Sequence, residues 1–212
     1  MPIGPTVRRM FGPYEHHVSD AYRSVFIDLD HCLDRIQQWA PDARRILEVG
    51  CGEGAMTERL CRRYPRARIL AIDVTDRVGR LFRGDAARVE FRKAPVEAVA
   101  AAEPQAFDLV LLSDVLHHVP VPLRGSLLEA IKTALAPRGV FVFKEWSRSR
   151  TPIHWMCEAS DRLLTGDDVS YLDRAEVRAL LGSTFGAGAV RDECTVKPWR
   201  NNIAMLVRPE AV

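Results

Sequence analysis

The sequence predicts an α/β fold, a largely parallel sheet covered by helices on both faces and closed near one edge by an antiparallel strand. Three observations carry this. Short, continuously apolar runs rich in Ile, Leu, Val and Phe recur along the middle of the chain, the pattern of strands buried on both faces. Helical periodicity separates several of these runs. The last two are joined by only Lys197-Pro198-Trp199-Arg200, too short for a helical crossover, so they must form a hairpin in which one strand opposes the rest.

Taken in order, residues 19–39 have the period of a helix, with Ser19 or Asp20 as N-cap and Tyr22, Val25, Phe26, Leu29, Leu33 and Ile36 on one face. Pro41 ends it. Ile46-Leu47-Glu48-Val49 reads as a first strand running into Gly50-Cys51-Gly52-Glu53-Gly54, and 55–64 as the helix that follows. Residues 69–73, 89–92, 107–112 and 139–143 read as strands two to five, with a helix over 123–135 between the last two. A helix near 174–181 precedes terminal strands at 189–196 and 201–207. No internal repeat or long Pro/Gly/Ser linker divides the chain, so one domain is expected.

Composition narrows the class. With 47% apolar and 27% charged residues and a formal net charge of +2, the chain reads as a soluble globular domain. No apolar run approaches the ~20 residues of a membrane-spanning helix, and no signal-peptide stretch follows Arg8 and Arg9. The five cysteines lack a C-x-x-C pair, which predicts free thiols, no zinc site and a cytoplasmic setting. Basic residues are concentrated over 59–93, eleven against four acidic. Arg59, Arg62, Arg63 and Arg66 fall at helical spacing there, so a solvated helix face is preferred to an RNA-binding surface.

A strand, a glycine-rich turn and a helix in that order form a device for binding a nucleotide-like ligand: glycines admit close backbone approach, and the helix start offers unpaired N–H groups. Asp73, nineteen residues beyond Gly54 at a strand end, adds a carboxylate able to accept from both hydroxyls of a ribose. The alternative is a tight turn with a strand-end Asp as helix cap. Gly50-x-Gly52-x-x-Ala55 also fits a relaxed dinucleotide fingerprint, but that fold keeps its strands parallel to the end and this chain finishes in a hairpin.

Four motifs in order resemble the class I S-adenosylmethionine-dependent methyltransferases of the small-molecule, type 11-like kind. They are Glu48 to Gly54, Asp73, the pair Phe107-Asp108-Leu109-Val110 and Ser113-Asp114-Val115-Leu116-His117-His118-Val119, and Leu135-Ala136-Pro137-Arg138-Gly139-Val140. The resemblance covers roughly residues 44–145. It implies a Rossmann-like doubly wound sheet of order 3-2-1-4-5-7-6 with strand seven antiparallel, an N-terminal helical cap over 1–40 and an insertion after strand five over 146–172, ahead of a C-terminal helix and hairpin over 173–212. It also implies S-adenosylmethionine as cofactor, held by Glu48, Gly50, Cys51, Gly52, Gly54, Asp73, Val74, Pro95, Val96 and Ser113. Where the family often has an acid for the adenine amino group this chain has Pro95, which leaves the Val96 backbone N–H and apolar contacts to hold the base.

The resemblance implies methyl transfer to an O, N or C atom of a small acceptor by in-line displacement, which chiefly requires the nucleophile to be aligned. A base helps where the acceptor must lose a proton, and His117, His118, Glu145 and Lys144 lie after strands four and five, where such a sheet binds ligands. Each has a bland alternative: a histidine packing the turn, or Lys144 pairing with Glu145. Tyr14, His17, Tyr22, His154 and Trp155 fall in two segments, 10–22 and 146–172, expected to form a lid over an apolar or aromatic acceptor. An RNA or protein acceptor is the second reading, and a binding, regulatory or cyclase protein on the same fold a third. No nucleic-acid partner is expected, and the chain should be a monomer or homodimer. Gly50→Arg should collide with the cofactor, and Asp73→Ala should weaken cofactor binding more than the fold.

Overall fold

The computed structural model describes residues 26–164 and 169–210. In chain order the elements are α1 (Leu29–Trp39), β1 (Arg45–Val49), α2 (Ala55–Arg63), β2 (Arg68–Asp73), β3 (Val89–Lys93), α3 (Val96–Ala102), β4 (Phe107–Ser113), α4 (Arg124–Ala134), β5 (Leu135–Trp146), α5 (Pro152–Leu164), α6 (Arg174–Phe185), β6 (Val190–Thr195) and β7 (Asn202–Val207). The strands form one seven-stranded sheet in the order β3-β2-β1-β4-β5-β7-β6. Pairing is parallel from β3 to β5, and β7 runs antiparallel to both β5 and β6. The terminal hairpin accounts for this, because its short connection has no room for a crossover.

Period-two alternation sorts the strand side chains onto two cores. Ile46, Leu109 and Val142 pack with Ile36 of α1 and Leu60 of α2 on one face. Leu47, Val110 and Phe141 pack with Val99 of α3, Ile131 of α4 and Leu181 of α6 on the other. Leu109 to Leu112 are wholly buried, so each contributes on the order of 2 kcal/mol by leaving water. Such strands hold their carboxyl ends rigidly, and the candidate site lies there.

The structure corrects several expectations. The first helix does not run unbroken from 19 to 39. Asp28 takes an extended conformation, its carboxylate caps α1 by accepting from the His31 N–H at 2.9 Å, and its own N–H donates to the Lys197 carbonyl at 2.8 Å. The expected cap at Ser19 or Asp20 lies outside the described residues. The connection of residues 74–88 between β2 and β3 holds a single 3₁₀ turn, Ala86–Arg88, and no α-helix. Backbone bonds order it instead: the Gly79 N–H donates to the Gly52 carbonyl at 2.9 Å and the Leu81 N–H to the Glu53 carbonyl at 3.0 Å. Helices α3 and α5 were not foreseen, because one has only seven residues and the other lies in a segment read as a lid.

The basic stretch is largely occupied within the chain. Arg62 pairs with Glu58, Arg63 with Asp34, Arg80 with Glu53 and Arg88 with Asp85. Each pair has one exposed partner, as pairs at a solvated surface do.

Candidate active site

The first half of the site is backbone. Beyond β1 the chain turns through Gly50 (φ 76°), Gly52 (φ 51°) and Gly54 (φ 94°), all in the left-handed region that side chains disfavour. Gly50 is required a second time, since a Cβ there would lie 2.2 Å from Val115 Cγ2. A side chain at Gly50 would therefore collide with the protein itself, in addition to the collision expected with the cofactor. At Gly52 a Cβ would meet nothing within 4 Å, so the turn presents bare backbone to open space. Asp73 ties this turn to β2: its Oδ2 accepts from the Gly52 N–H at 2.8 Å and its Oδ1 from the Thr75 N–H at 2.9 Å. Each oxygen keeps lone-pair capacity for a ligand hydroxyl, and Asp73→Ala should loosen the turn as well as any ligand.

Glu48 lies beneath the turn, 3% exposed, with Oε2 lacking a hydrogen-bond partner among the described residues. Burial pushes its carboxyl up to about 7, and the Asp73 charge adds to the rise while the Thr57 hydroxyl opposes it. An orphaned carboxylate oxygen under an open glycine cradle fits a cationic ligand, and S-adenosylmethionine carries both a sulfonium and an ammonium. Cys51 is no nucleophile, because burial and then the charges of Glu48 and Asp73 push its thiol well above the ordinary range. Val74 follows Asp73 and is 67% exposed, an apolar rim of the kind an adenine ring covers. The Ala94 N–H donates to the Asp73 carbonyl at 3.0 Å, which brings Pro95 and Val96, at the start of α3, to the same strand end.

The second half is made of side chains at the ends of β4 and β5. His117 Nδ1 and Glu145 Oε1 are 2.7 Å apart, both side chains being all but fully buried. The carboxylate is held further by the Trp146 N–H at 2.9 Å and the His117 N–H at 3.3 Å. Burial pushes the Glu145 carboxyl up, but the His117 ring, the Trp146 N–H and Lys144 together pull it further down, below the usual carboxylate range. Tyr171 stacks on His117 with centroids 4.5 Å apart, and the His118 ring lies 4.1 Å away on a tilt.

Lys144 does not pair with Glu145. Neighbouring strand residues face opposite sides of the sheet, so Lys144 crosses to β4, where its Nζ meets Asp114 Oδ1 at 2.6 Å. Asp114 sits at φ 56°, a strained position for a residue other than glycine, and the Ser113 hydroxyl donates to its Oδ2 at 3.2 Å.

Of the acceptor candidates, His154 is buried edge-on to Tyr171, at 4.8 Å, and so joins the His117 group. Trp155 is 61% exposed and does not. Tyr14, His17 and Tyr22 lie outside the described residues. Sequence reasoning gave no role to Arg124, which is buried and donates to the carbonyls of Val119 and Ser170, pinning the Tyr171 segment over the histidines. An arginine opening a helix carries no sequence signal of that task.

The sequence family described as a methyltransferase domain matches residues 46–139, the span that holds the glycine turn, Asp73 and the His117 turn. The match to the methyltransferase-domain family thus covers a little under half of the chain. The chain is 36% identical over 122 residues to the ubiquinone biosynthesis O-methyltransferase of Ralstonia nicotianae, covering 55% of this chain and 50% of that protein. It is 28% identical over 196 residues to the enzyme of that name from Xanthomonas campestris pv. campestris, covering 87% and 78%. The chain thus spans only half the length of the Ralstonia relative. Among solved structures, human N-acetylserotonin methyltransferase in complex with SAM aligns with a TM-score of 0.69 at 19% identity, over all of this chain and 61% of that one. Burkholderia thailandensis 1,6-didemethyltoxoflavin-N1-methyltransferase, with bound S-adenosylhomocysteine, aligns at 0.68 and 18% identity over 97% and 88%. At such identities the structural likeness shows the fold. The sheet thus has the order the motifs implied, and antiparallel β7 separates it from the all-parallel dinucleotide fold.

Proposed function

We propose that this methyltransferase domain methylates a hydroxyl oxygen of a small-molecule acceptor, with His117 as the base and Glu145 as the group that orients it. The observation that carries the reading is the buried His117–Glu145 contact at the carboxyl ends of β4 and β5. S-adenosylmethionine, when bound, supplies an electrophilic methyl group on a sulfonium. Gly52 and Asp73 would form the backbone and carboxylate cradle for its nucleoside end, with Val74, Pro95, Val96 and Ser113 around it, and Glu48 would place a carboxyl beneath its cationic end, whose charge favours the ionised form. His117 takes the acceptor's hydroxyl proton as the oxygen attacks in line, and Glu145 stabilises the resulting imidazolium. His118 and His154 line the same aromatic group and bear on acceptor fit. The relatives' names, which specify O-methylation, support oxygen as the methylated atom. Free thiols at all five cysteines support a reducing, cytoplasmic setting, and no described helix is long and apolar enough to cross a membrane.

The test is a product screen with methyl-labelled S-adenosylmethionine and a panel of phenols, amines and carbon acids. Labelled methyl ethers are expected, together with their loss in His117→Ala while calorimetric binding of S-adenosylhomocysteine persists. Label on nitrogen or carbon alone would overturn the oxygen assignment. Absence of cofactor binding at millimolar concentration would overturn the whole reading.

A further inference from the structure

Away from the His117 group, the described residues line an open pocket of about 680 Å³, a volume suited to a small organic ligand. It lies beyond the end of β5, between the start of α5 and the connection from β6 to β7. Its walls divide by chemistry. Ile153, Met156, Pro198 and Trp199 make an apolar, partly aromatic side, Arg174 and Arg200 bring two guanidinium groups, and no carboxylate lines it.

Among the described residues, the nearby carboxylates are already shared. Arg174 Nε meets Glu193 Oε1 at 3.0 Å, but Glu193 also serves Arg178, so one carboxylate is shared between two guanidiniums. Asp173 and Glu176, at the start of α6, are both engaged by Arg148. Arg174 further donates to the Arg200 carbonyl at 3.4 Å, and the Asn201 amide donates to the Ser149 hydroxyl at 3.0 Å, which together hold the rim in shape.

We propose that this cavity is a binding site for an aromatic carboxylate, its ring against Trp199 and its carboxylate on Arg200 and Arg174. Guanidinium forks match the two oxygens of a carboxylate, and an indole wall favours a flat apolar body over a sugar or a free inorganic anion. Trp199 and Ile153 pack in one cluster with Trp146 and Tyr171, and Tyr171 stacks on His117, so Tyr171 links the pocket's apolar wall to the His117 group. The site stands on the cavity's own lining and does not depend on the methyl-transfer reading.

The test is calorimetric titration of the full chain with 1-naphthoate and with its neutral counterpart, 1-naphthalenemethanol. Saturable binding of the acid is expected, at least tenfold tighter than that of the alcohol, with a similar loss in Arg200→Ala and no detectable binding in Arg200→Glu. Arg200 is exposed, so both variants should melt as the parent does. Trp199→Leu should weaken acid and alcohol alike, and saturating S-adenosylhomocysteine should leave naphthoate binding in place. Absence of saturable binding at millimolar acid, equal affinity for the alcohol, full affinity in Arg200→Glu, or displacement by S-adenosylhomocysteine would each overturn the proposal.

Discussion

Glu48 ends the β1 side of the site and Glu145 the β5 side. Both are buried, at 3% and 2% exposure, yet burial has opposite outcomes for them. Glu48 has an oxygen without a partner and its carboxyl is pushed up to about 7, whereas Glu145 meets His117 and the Trp146 N–H and is pulled below the usual range. Burial alone therefore does not set the charge of a carboxylate; what faces it does. On the β1 side a buried carboxyl holds its proton and keeps one oxygen without a partner, and on the β5 side the carboxylate is committed to a histidine. The cofactor side is also built mostly from backbone, and the β4–β5 side from side chains.

The largest expected effect separates the two sides by function. His117→Ala should lower kcat by about 10² to 10⁴, the usual range for a lost general base, and leave S-adenosylhomocysteine affinity within about twofold. A parallel loss of cofactor affinity would mean that the two sides are one unit. Next comes the backbone of the cofactor side. Gly50→Ala should destabilise by about 2 to 5 kcal/mol, from the clash with Val115 added to left-handed strain, whereas Gly52→Ala should cost only about 1 to 2 kcal/mol from strain alone. Urea unfolding of the pair measures the difference, and equal losses would remove the distinction between a packed glycine and an open one.

Proton linkage sharpens the comparison. Glu48 holds its proton more tightly when folded, at about 7 against an ordinary 4.5, so its contribution is full below pH 4.5 and is lost as pH rises to 7, by roughly 3 kcal/mol. Against Glu48→Gln, the parent should lose ground over that window. Glu145 is lowered, so its contribution is present above its ordinary value and disappears as pH falls through the folded one. Against Glu145→Gln, the parent should therefore gain ground as pH rises out of the acid range. Unfolding series at matched pH check both, and slopes of one sign would contradict the contrast. The smallest effect belongs to the basic surface, where Arg62→Ala should change stability by no more than about 0.5 kcal/mol, because Arg62 is exposed and meets Glu58, one helical turn away, only at 3.6 Å.

Much of the cofactor side was legible as sequence. Glycine spacing, the strand-end Asp73 and the terminal hairpin report local backbone demands, and each is met where it was expected. The helical reading of the first forty residues erred at Asp28 because that N–H bonds to Lys197, a residue distant in sequence. The connection of residues 74–88, to which periodicity assigns no element, is ordered by backbone bonds to the glycine turn.

The amino-acid order by itself determined the strand sequence, the glycine turn and the candidacy of His117, His118 and Glu145, since periodicity and backbone conformation are local properties of a chain. Only the tertiary structure decided that Lys144 belongs to Asp114 and Glu145 to His117. The physical reason is lateral. β4 and β5 are separated in sequence by the whole of α4, and the distances between their side chains are set by the sheet that aligns them and by the alternation that turns Lys144 to one face and Glu145 to the other.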